Sequence, residues 1–270
     1  MNLFLCWPLL LAGLVSAGFR FQGMNIGPVH PDTEHLSKRY DRDTGWGTFD
    51  QQLDHTSPKL GTFKQRYWYS TEFWKGPGSP IIVTTPGEQS ASGFNSTYFG
   101  LKRLPGLFAQ QLGAAVILLE HRYWGQSSPF ESLTVKNLQY LTLENAIKDL
   151  SFFATNFTLP FDTSGGSAPS EAPWIFTGGS YAGALAGWSA VLDPGTFWAY
   201  HGSSSVVQTI SEFWTYLSPV IEATPQNCSA DIQAVISHVD KTLLHGSPQQ
   251  KRELKAKFQL DDLTDADFGA

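Results

Sequence analysis

The feature that most constrains the fold is a turn of very small residues between a short apolar segment and a helix. The segment Phe176-Thr177 leads into Gly178-Gly179-Ser180-Tyr181-Ala182-Gly183, and the residues that follow, up to Leu192, are small and apolar. A serine flanked in this way is typical of a sharp, strained strand-to-helix turn. We therefore predict that Ser180 projects from the end of a buried strand.

This turn predicts a chemical role for Ser180. A hydroxyl held clear of a sheet acts as a nucleophile, and the N–H of Tyr181, at the start of a helix, then points to a developing oxyanion. The alternative is a dinucleotide-binding turn, which requires a third glycine at a set spacing and an acidic residue about twenty positions later. The sequence has neither of these features, so the nucleophile is favoured.

Strand and helix signals alternate around this turn. Continuous apolar segments indicate strands that are buried on both faces, and their alternation with helices predicts an α/β fold with a mainly parallel sheet covered on both faces. The predicted strands are an antiparallel edge strand at 62–70, buried strands at 80–85, 114–120 and 173–177, and one that begins in 197–207. The predicted helices are 104–112, one capped by Thr142, and 181–192.

The character of the sequence changes near Ser211 and becomes helical. Ile232, Val235, Ile236, Val239 and Leu243 share one helix face, and Ser247-Pro248-Gln249-Gln250 forms a capping box that opens another helix. We predict four segments: a signal peptide at 1–17, a linker or pro-segment at 18–42, the N-terminal part of an α/β-hydrolase domain at 43–210, and the start of a truncated helical cap at 211–270.

Two polar segments follow predicted strands and form a candidate cleft. In Thr84-Thr85-Pro86-Gly87-Glu88-Gln89 the backbone N–H of Gly87 or Glu88 is a candidate second oxyanion donor, with an ordinary turn as the alternative. Glu120, His121 and Arg122 are interpreted as a network that supports the cleft. His121 as a catalytic base is less favoured, because in this fold the histidine follows the serine along the chain.

The N-terminus and the sequons indicate export. Residues 3–15 are mostly apolar, too short to span a bilayer, and precede a small-residue cleavage site. Asn95, Asn156 and Asn227 begin three sequons. The chain is thus predicted to be a secreted glycoprotein, or alternatively a vacuolar or lysosomal one, without a membrane anchor.

The charge and composition exclude several partners. The formal net charge of −6 argues against nucleic acid, since nothing would neutralise phosphates. No cofactor is expected, and His238, Asp240 and His245 have a spacing that suits no common metal-ligand set. After signal removal Cys228 is the single cysteine, so its disulfide partner is expected in another chain or a further segment.

The sequence resembles the S28 family of serine peptidases. The resemblance extends from Phe49 to Ala270 and is carried by the segments Gln51–His55, Gly61–Trp68, Thr85–Glu88, Glu120–Pro129, Gln139–Thr142, Gly178–Gly183 and Gly195–His201. It implies an α/β-hydrolase domain with an inserted helical cap and hydrolysis of peptide or protein substrates after proline at acid pH. It also implies Ser180 as nucleophile and Tyr181 as backbone oxyanion donor.

In that family the acid and the histidine of the triad lie beyond a cap, past the end of this sequence. His201, His238 and His245 are weak local substitutes, so the chain alone is expected to be inactive. The alternatives are an esterase or lipase with the same turn, and a non-catalytic binding fragment. Endopeptidase and exopeptidase activity both stay open, as does the oligomeric state.

Overall fold

The computed structural model describes residues 43–269, except the side chain of Asn95. The predicted signal peptide at 1–17 and the linker or pro-segment at 18–42 lie outside the described residues. The described residues form two compact units, 43–208 and 209–269. Each unit has its own architecture.

The first unit is built on a six-stranded sheet. Its strands are β1 (Thr44–Gln52), β2 (Thr62–Ser70), β3 (Ile81–Thr84), β4 (Ala115–Leu119), β5 (Trp174–Gly179) and β6 (Ala199–Ser203), and their order is β1-β2-β4-β3-β5-β6. β1 and β2 are antiparallel, and β2 is antiparallel to β4. β4, β3, β5 and β6 run parallel to one another. The predicted mainly parallel sheet is confirmed.

Helices cover both faces of this sheet. They are α1 (Asn95–Phe99), α2 (Leu104–Leu112), α3 (Leu143–Asn156) and α4 (Tyr181–Leu192), together with 3-10 turns at Pro58–Leu60 and Asn137–Tyr140. Ile81 and Val83 face α3 and α4, while Ile82 between them faces α1 and α2. Successive side chains of a strand point to opposite faces, which explains why the central strands are apolar throughout. The predicted helices 104–112 and 181–192 are confirmed.

The antiparallel strand predicted at 62–70 is confirmed as β2, but its predicted place at the edge is wrong, because β1 lies outside β2 and pairs with it from Thr44 to Gln52. β1 was not predicted because it contains Gly45 and Gly47, and glycine is depleted in strands. A Cβ atom at Gly45 would lie 2.4 Å from the Tyr69 ring, and one at Gly47 would lie 2.5 Å from the Tyr67 hydroxyl. The tyrosine rings of β2 lie over these glycines and leave no room for a side chain at either position.

The second unit is helical, as predicted for this part of the chain. Its helices are α5 (Ser218–Ala223), α6 (Gln226–His245), α7 (Pro248–Ala256) and α8 (Asp265–Gly269), preceded by a 3-10 turn at Trp214–Leu217. The capping box is confirmed: the Ser247 N–H donates to Gln250 Oε1 at 2.8 Å, and the Gln250 N–H donates to Ser247 Oγ at 3.3 Å. The identification of this unit as part of a cap stays a prediction. None of the helices between residues 43 and 269 is long and apolar enough to cross a membrane.

Candidate active site

Ser180 lies at the apex of the turn between β5 and α4, where the side chain is exposed. Its backbone has φ 56° and ψ −126°, a conformation that costs a non-glycine residue about 1–3 kcal/mol and that is found at functional sites. The Ser180 N–H donates to the Ser203 carbonyl of β6 at 2.9 Å, which fixes the turn to the sheet. This is the strained serine turn that the sequence predicts.

The glycines around Ser180 are required by close backbone approach. A Cβ atom at Gly178 would lie 2.2 Å from the Ala182 carbonyl oxygen, and one at Gly183 would lie 3.0 Å from the Gly178 carbonyl oxygen. At Gly179, by contrast, the nearest atom would be the Ser203 carbonyl oxygen at 3.8 Å, an ordinary contact. The strand and the helix therefore approach closely at Gly178 and Gly183.

The start of α4 supplies backbone N–H groups next to the serine. The first N–H groups of a helix have no partner within the helix and carry partial positive charge. Among residues 43–269, none accepts a hydrogen bond from the N–H of Tyr181. This N–H is thus free to bind a negatively charged oxygen beside Ser180.

The loop after β3 lies against the same helix start. Gly87 has φ 71°, and a Cβ atom there would lie 3.6 Å from Tyr181 Cδ1 and 3.9 Å from the Ala182 nitrogen. The Gly87 N–H donates to Thr85 Oγ1 at 3.4 Å, whereas the Glu88 N–H has no acceptor in the described part of the chain. Of the two predicted donors, Glu88 has the uncommitted N–H, and its side chain is exposed.

His121 is buried and supports Tyr181. Its Nδ1 lies 2.8 Å from the Arg122 carbonyl oxygen and its Nε2 lies 3.0 Å from the Tyr181 hydroxyl. The carbonyl accepts only, so Nδ1 carries the proton and Nε2 accepts from Tyr181. Burial lowers the pKa of His121, and burial, with the nearby negative charges of Glu88 and Asp149, raises the pKa of Tyr181 to about 12. Both groups are therefore neutral at physiological pH.

Glu120 is fully buried and joins three segments around the cleft. Its carboxylate accepts from Arg66 Nε at 2.8 Å and Nη2 at 2.6 Å, from Ser127 Oγ at 2.6 Å, and from the Ala91 N–H at 2.9 Å. Burial by itself would raise the pKa of Glu120, but the hydrogen bonds and the Arg66 charge outweigh it and lower the pKa. Glu120 thereby ties the loops after β3 and β4 to β2.

Arg122 forms a second buried ion pair. Its Nε and Nη2 donate to the Asp149 carboxylate at 2.7 and 2.6 Å, and its remaining N–H groups donate to the carbonyls of Gln52, Leu53 and Tyr140. His55 Nε2 lies 2.8 Å from Asp149 Oδ1. The Arg122 side chain is fully buried with every donor used, so it acts on the cleft only through its neighbours.

Within the first unit, residues 43–208, the structure does not bring a histidine to the Ser180 hydroxyl. His55 is hydrogen-bonded to Asp149 and His121 to Tyr181. His201 Nδ1 lies 2.9 Å from Thr177 Oγ1, and its ring packs against Phe108. His238 and His245 belong to the second unit. No group of three or more potential metal-binding side chains occurs in the part of the chain that the structure describes.

Sequence reasoning missed Arg66, Asp149 and His55 as members of the buried network. A usable signal was present for Asp149, which lies among Ala146, Ile147, Leu150 and Phe153 on the buried face of α3. A carboxylate in an apolar helix face requires a buried partner. Two of the predicted sequon asparagines are placed: Asn156 ends α3 and Asn227 lies in the first turn of α6, both exposed. Their glycosylation stays a prediction.

Comparison with known proteins gives a family and several relatives. A family model described as serine carboxypeptidase S28 matches residues 51–270. The chain is 47% identical over 82% of its length to a serine protease of Bipolaris victoriae, vicPb, and covers 41% of that protein. It is 34% identical over 79% of its length to a probable extracellular serine carboxypeptidase of Arthroderma benhamiae, of which it covers 29%. The chain therefore spans less than half the length of these two relatives.

Among solved structures, Rv0554 from Mycobacterium tuberculosis matches with a TM-score of 0.42 and 13% identity over 69% of this chain and 58% of that one. The α/β-hydrolase fold is shown by the mainly parallel sheet with helices on both faces, together with the strained serine turn between β5 and α4.

Proposed function

Because this chain belongs to the serine carboxypeptidase S28 family, we propose that its first unit supplies the nucleophile and the oxyanion site of a secreted peptidase that cleaves after proline. The observation that carries the proposal is Ser180, exposed at φ 56° on the turn into α4. The strained turn holds the hydroxyl at the carboxyl end of the parallel strands, which is where α/β proteins place their ligands.

The proposed reaction is acyl transfer through a covalent intermediate. Ser180 Oγ attacks the carbonyl carbon of the scissile peptide bond, and a general base takes the hydroxyl proton. The carbonyl oxygen becomes negative and is bound by the N–H groups of Tyr181 and Glu88. As the C–N bond breaks, the same proton passes to the leaving amine, and water then hydrolyses the acyl-enzyme.

The base is proposed to come from outside residues 43–269. Each histidine of the first unit between these residues is held by another partner: His55 by Asp149, His121 by Tyr181, and His201 by Thr177. A serine without a base is a weak nucleophile. Residues 18–270 by themselves are thus proposed to be nearly inactive.

Three finer properties are part of the proposal. Specificity for proline and activity in acid are supported by the family resemblance. Secretion is supported by the N-terminal sequence, by the exposed Asn156 and Asn227, and by the relative described as extracellular. A neutral, buried His121 keeps its hydrogen bond with Tyr181 in mild acid because burial lowers its pKa, so the site tolerates acidic conditions.

The test uses the protein as its source organism produces it, here called the source protein. It is assayed with chromogenic peptides that differ only in the residue before the scissile bond, at about pH 5 and about pH 7. We expect preference for proline and higher kcat/KM in acid, with Ser180→Ala as the inactive control. Equal rates with proline, alanine and leucine would overturn the specificity, and activity on esters alone would favour the esterase alternative.

A further inference from the structure

A groove of about 440 Å³ lies between α6 and α7 in the second unit. Both walls are stripes of side chains at the spacing i, i+3, i+4, i+7, which places them on one helix face. The stripe of α6 is His238, Lys241, Thr242 and His245. That of α7 contains Glu253 and Leu254 and continues to Lys257, the residue that follows the helix. Two lysines and two histidines therefore share one concave surface.

The lysines of the groove differ in their pairing from the two lysines within α7. Lys251 and Lys255 donate to the Asp265 carboxylate at 2.9 and 3.1 Å. Lys241 and Lys257 form no ion pair with any residue between 43 and 269. Their charge is thus left for a ligand or for solvent.

The acidic groups near the groove do not offset this charge. Glu253 is its single carboxylate, and it already accepts a hydrogen bond from Gln249 Nε2 at 2.9 Å. Asp240 lies two positions from His238 and so on another face of α6. On α8, which packs against α6, Asp265 is paired with lysines and Asp267 accepts from Thr264. Its two lysines and one glutamate give the groove a net charge of +1.

We propose that this groove binds a sulfate or phosphate group, held by the ammonium groups of Lys241 and Lys257. Lysine ammonium groups bind such oxyanions as point charges. Leu254, which is buried at the floor of the groove, provides an apolar contact for the organic part of an ester. The site is separate from Ser180 and does not depend on the proposed peptidase activity.

The probe is inorganic sulfate, which is a dianion near neutral pH. The full chain is titrated with sulfate at constant ionic strength and near neutral pH while the histidine ring signals are followed by nuclear magnetic resonance. We expect saturable shifts of the His238 and His245 signals, because both rings line the groove. A second titration uses phenyl sulfate, which carries one negative charge fewer: tighter binding than that of sulfate indicates that the site takes an ester, and equal or weaker binding indicates that it takes the free ion.

Matched variants distinguish binding in the groove from a general effect of the positive charge of the chain. Lys241→Gln and Lys257→Gln, each made singly, are expected to weaken sulfate binding several-fold, whereas Lys251→Gln, which removes one positive charge from outside the groove, leaves it unchanged. Equal weakening by Lys251→Gln would overturn the proposal. Shifts that do not saturate, or that chloride reproduces at the same ionic strength, would also overturn it.

Discussion

Replacement of Glu120 by glutamine tests whether the buried carboxylate holds the cleft together. Glutamine keeps the shape but removes the charge opposite Arg66, whose side chain is 10% exposed. It also turns an amide N–H toward groups that are themselves donors, namely Arg66, Ser127 and the Ala91 N–H. A buried cation that loses its partner costs about 3–5 kcal/mol of folding stability. Domains of this kind have about 5–15 kcal/mol in total, so the loss is large.

The effect of this substitution depends on pH, and its sign follows from the pKa of Glu120. Because that pKa is lowered in the folded protein, the stabilisation is complete above the unfolded value of about 4.3. It is lost as the pH falls through the lower, folded value. The difference between the parent and Glu120→Gln is therefore expected to be largest near neutral pH and to shrink in strong acid.

The assay is urea unfolding of the source protein, followed by near-ultraviolet circular dichroism at about pH 7 and about pH 3. Glu131→Gln is the matched control, because Glu131 is exposed and its loss is expected to change stability by no more than about 0.5 kcal/mol. A cost of Glu120→Gln below about 1 kcal/mol at neutral pH, or one that grows in acid, would refute the reasoning.

Two further predictions concern the serine turn and the chain by itself. Gly178→Ala is expected to abolish activity, because its Cβ atom would lie 2.2 Å from the Ala182 carbonyl oxygen. Gly179→Ala is the control and is expected to retain activity, because the nearest atom to its Cβ would be 3.8 Å away. Equal kcat/KM for the two variants would contradict the close approach at Gly178. Residues 18–270 alone are expected to turn over a proline-containing peptide about a million-fold more slowly than the source protein. They are also expected to self-associate, as measured by light scattering, because large apolar side chains such as Trp214, Val220 and Ile236 are exposed. A monodisperse chain with comparable turnover would mean that a histidine within it acts as the base.

Much of the fold could be predicted from local sequence patterns. Continuous apolar segments such as Ala115–Leu119 are short and flanked by turns, so they were recognisable as buried strands, and the Thr142 cap and the Ser247 capping box mark their helices directly. The strand at 197–207 was recognised, but it is shorter than expected and spans Ala199–Ser203. β1 was not recognisable because the fit of Gly45 and Gly47 beneath Tyr69 and Tyr67 is a tertiary contact.

The site was predictable where its chemistry is local to the sequence. Ser180 and Tyr181 are defined by one hexapeptide turn, and Glu120, His121 and Arg122 by one polar segment after a strand. Their partners were not predictable, since Arg66 reaches Glu120 across the β2–β4 pair and Asp149 reaches Arg122 from α3. The choice between Gly87 and Glu88 depends on the exact conformation of the loop, in which the Gly87 N–H donates to Thr85 Oγ1.

The central claim is that Ser180 is the nucleophile, and it is tested most directly by covalent labelling. The source protein is treated with a fluorophosphonate, which reacts with activated serines, and the labelled peptide is identified by mass spectrometry. We expect the label on Ser180 alone, and none in the Ser180→Ala variant. Label on another serine, or labelling that survives in Ser180→Ala, would contradict the assignment.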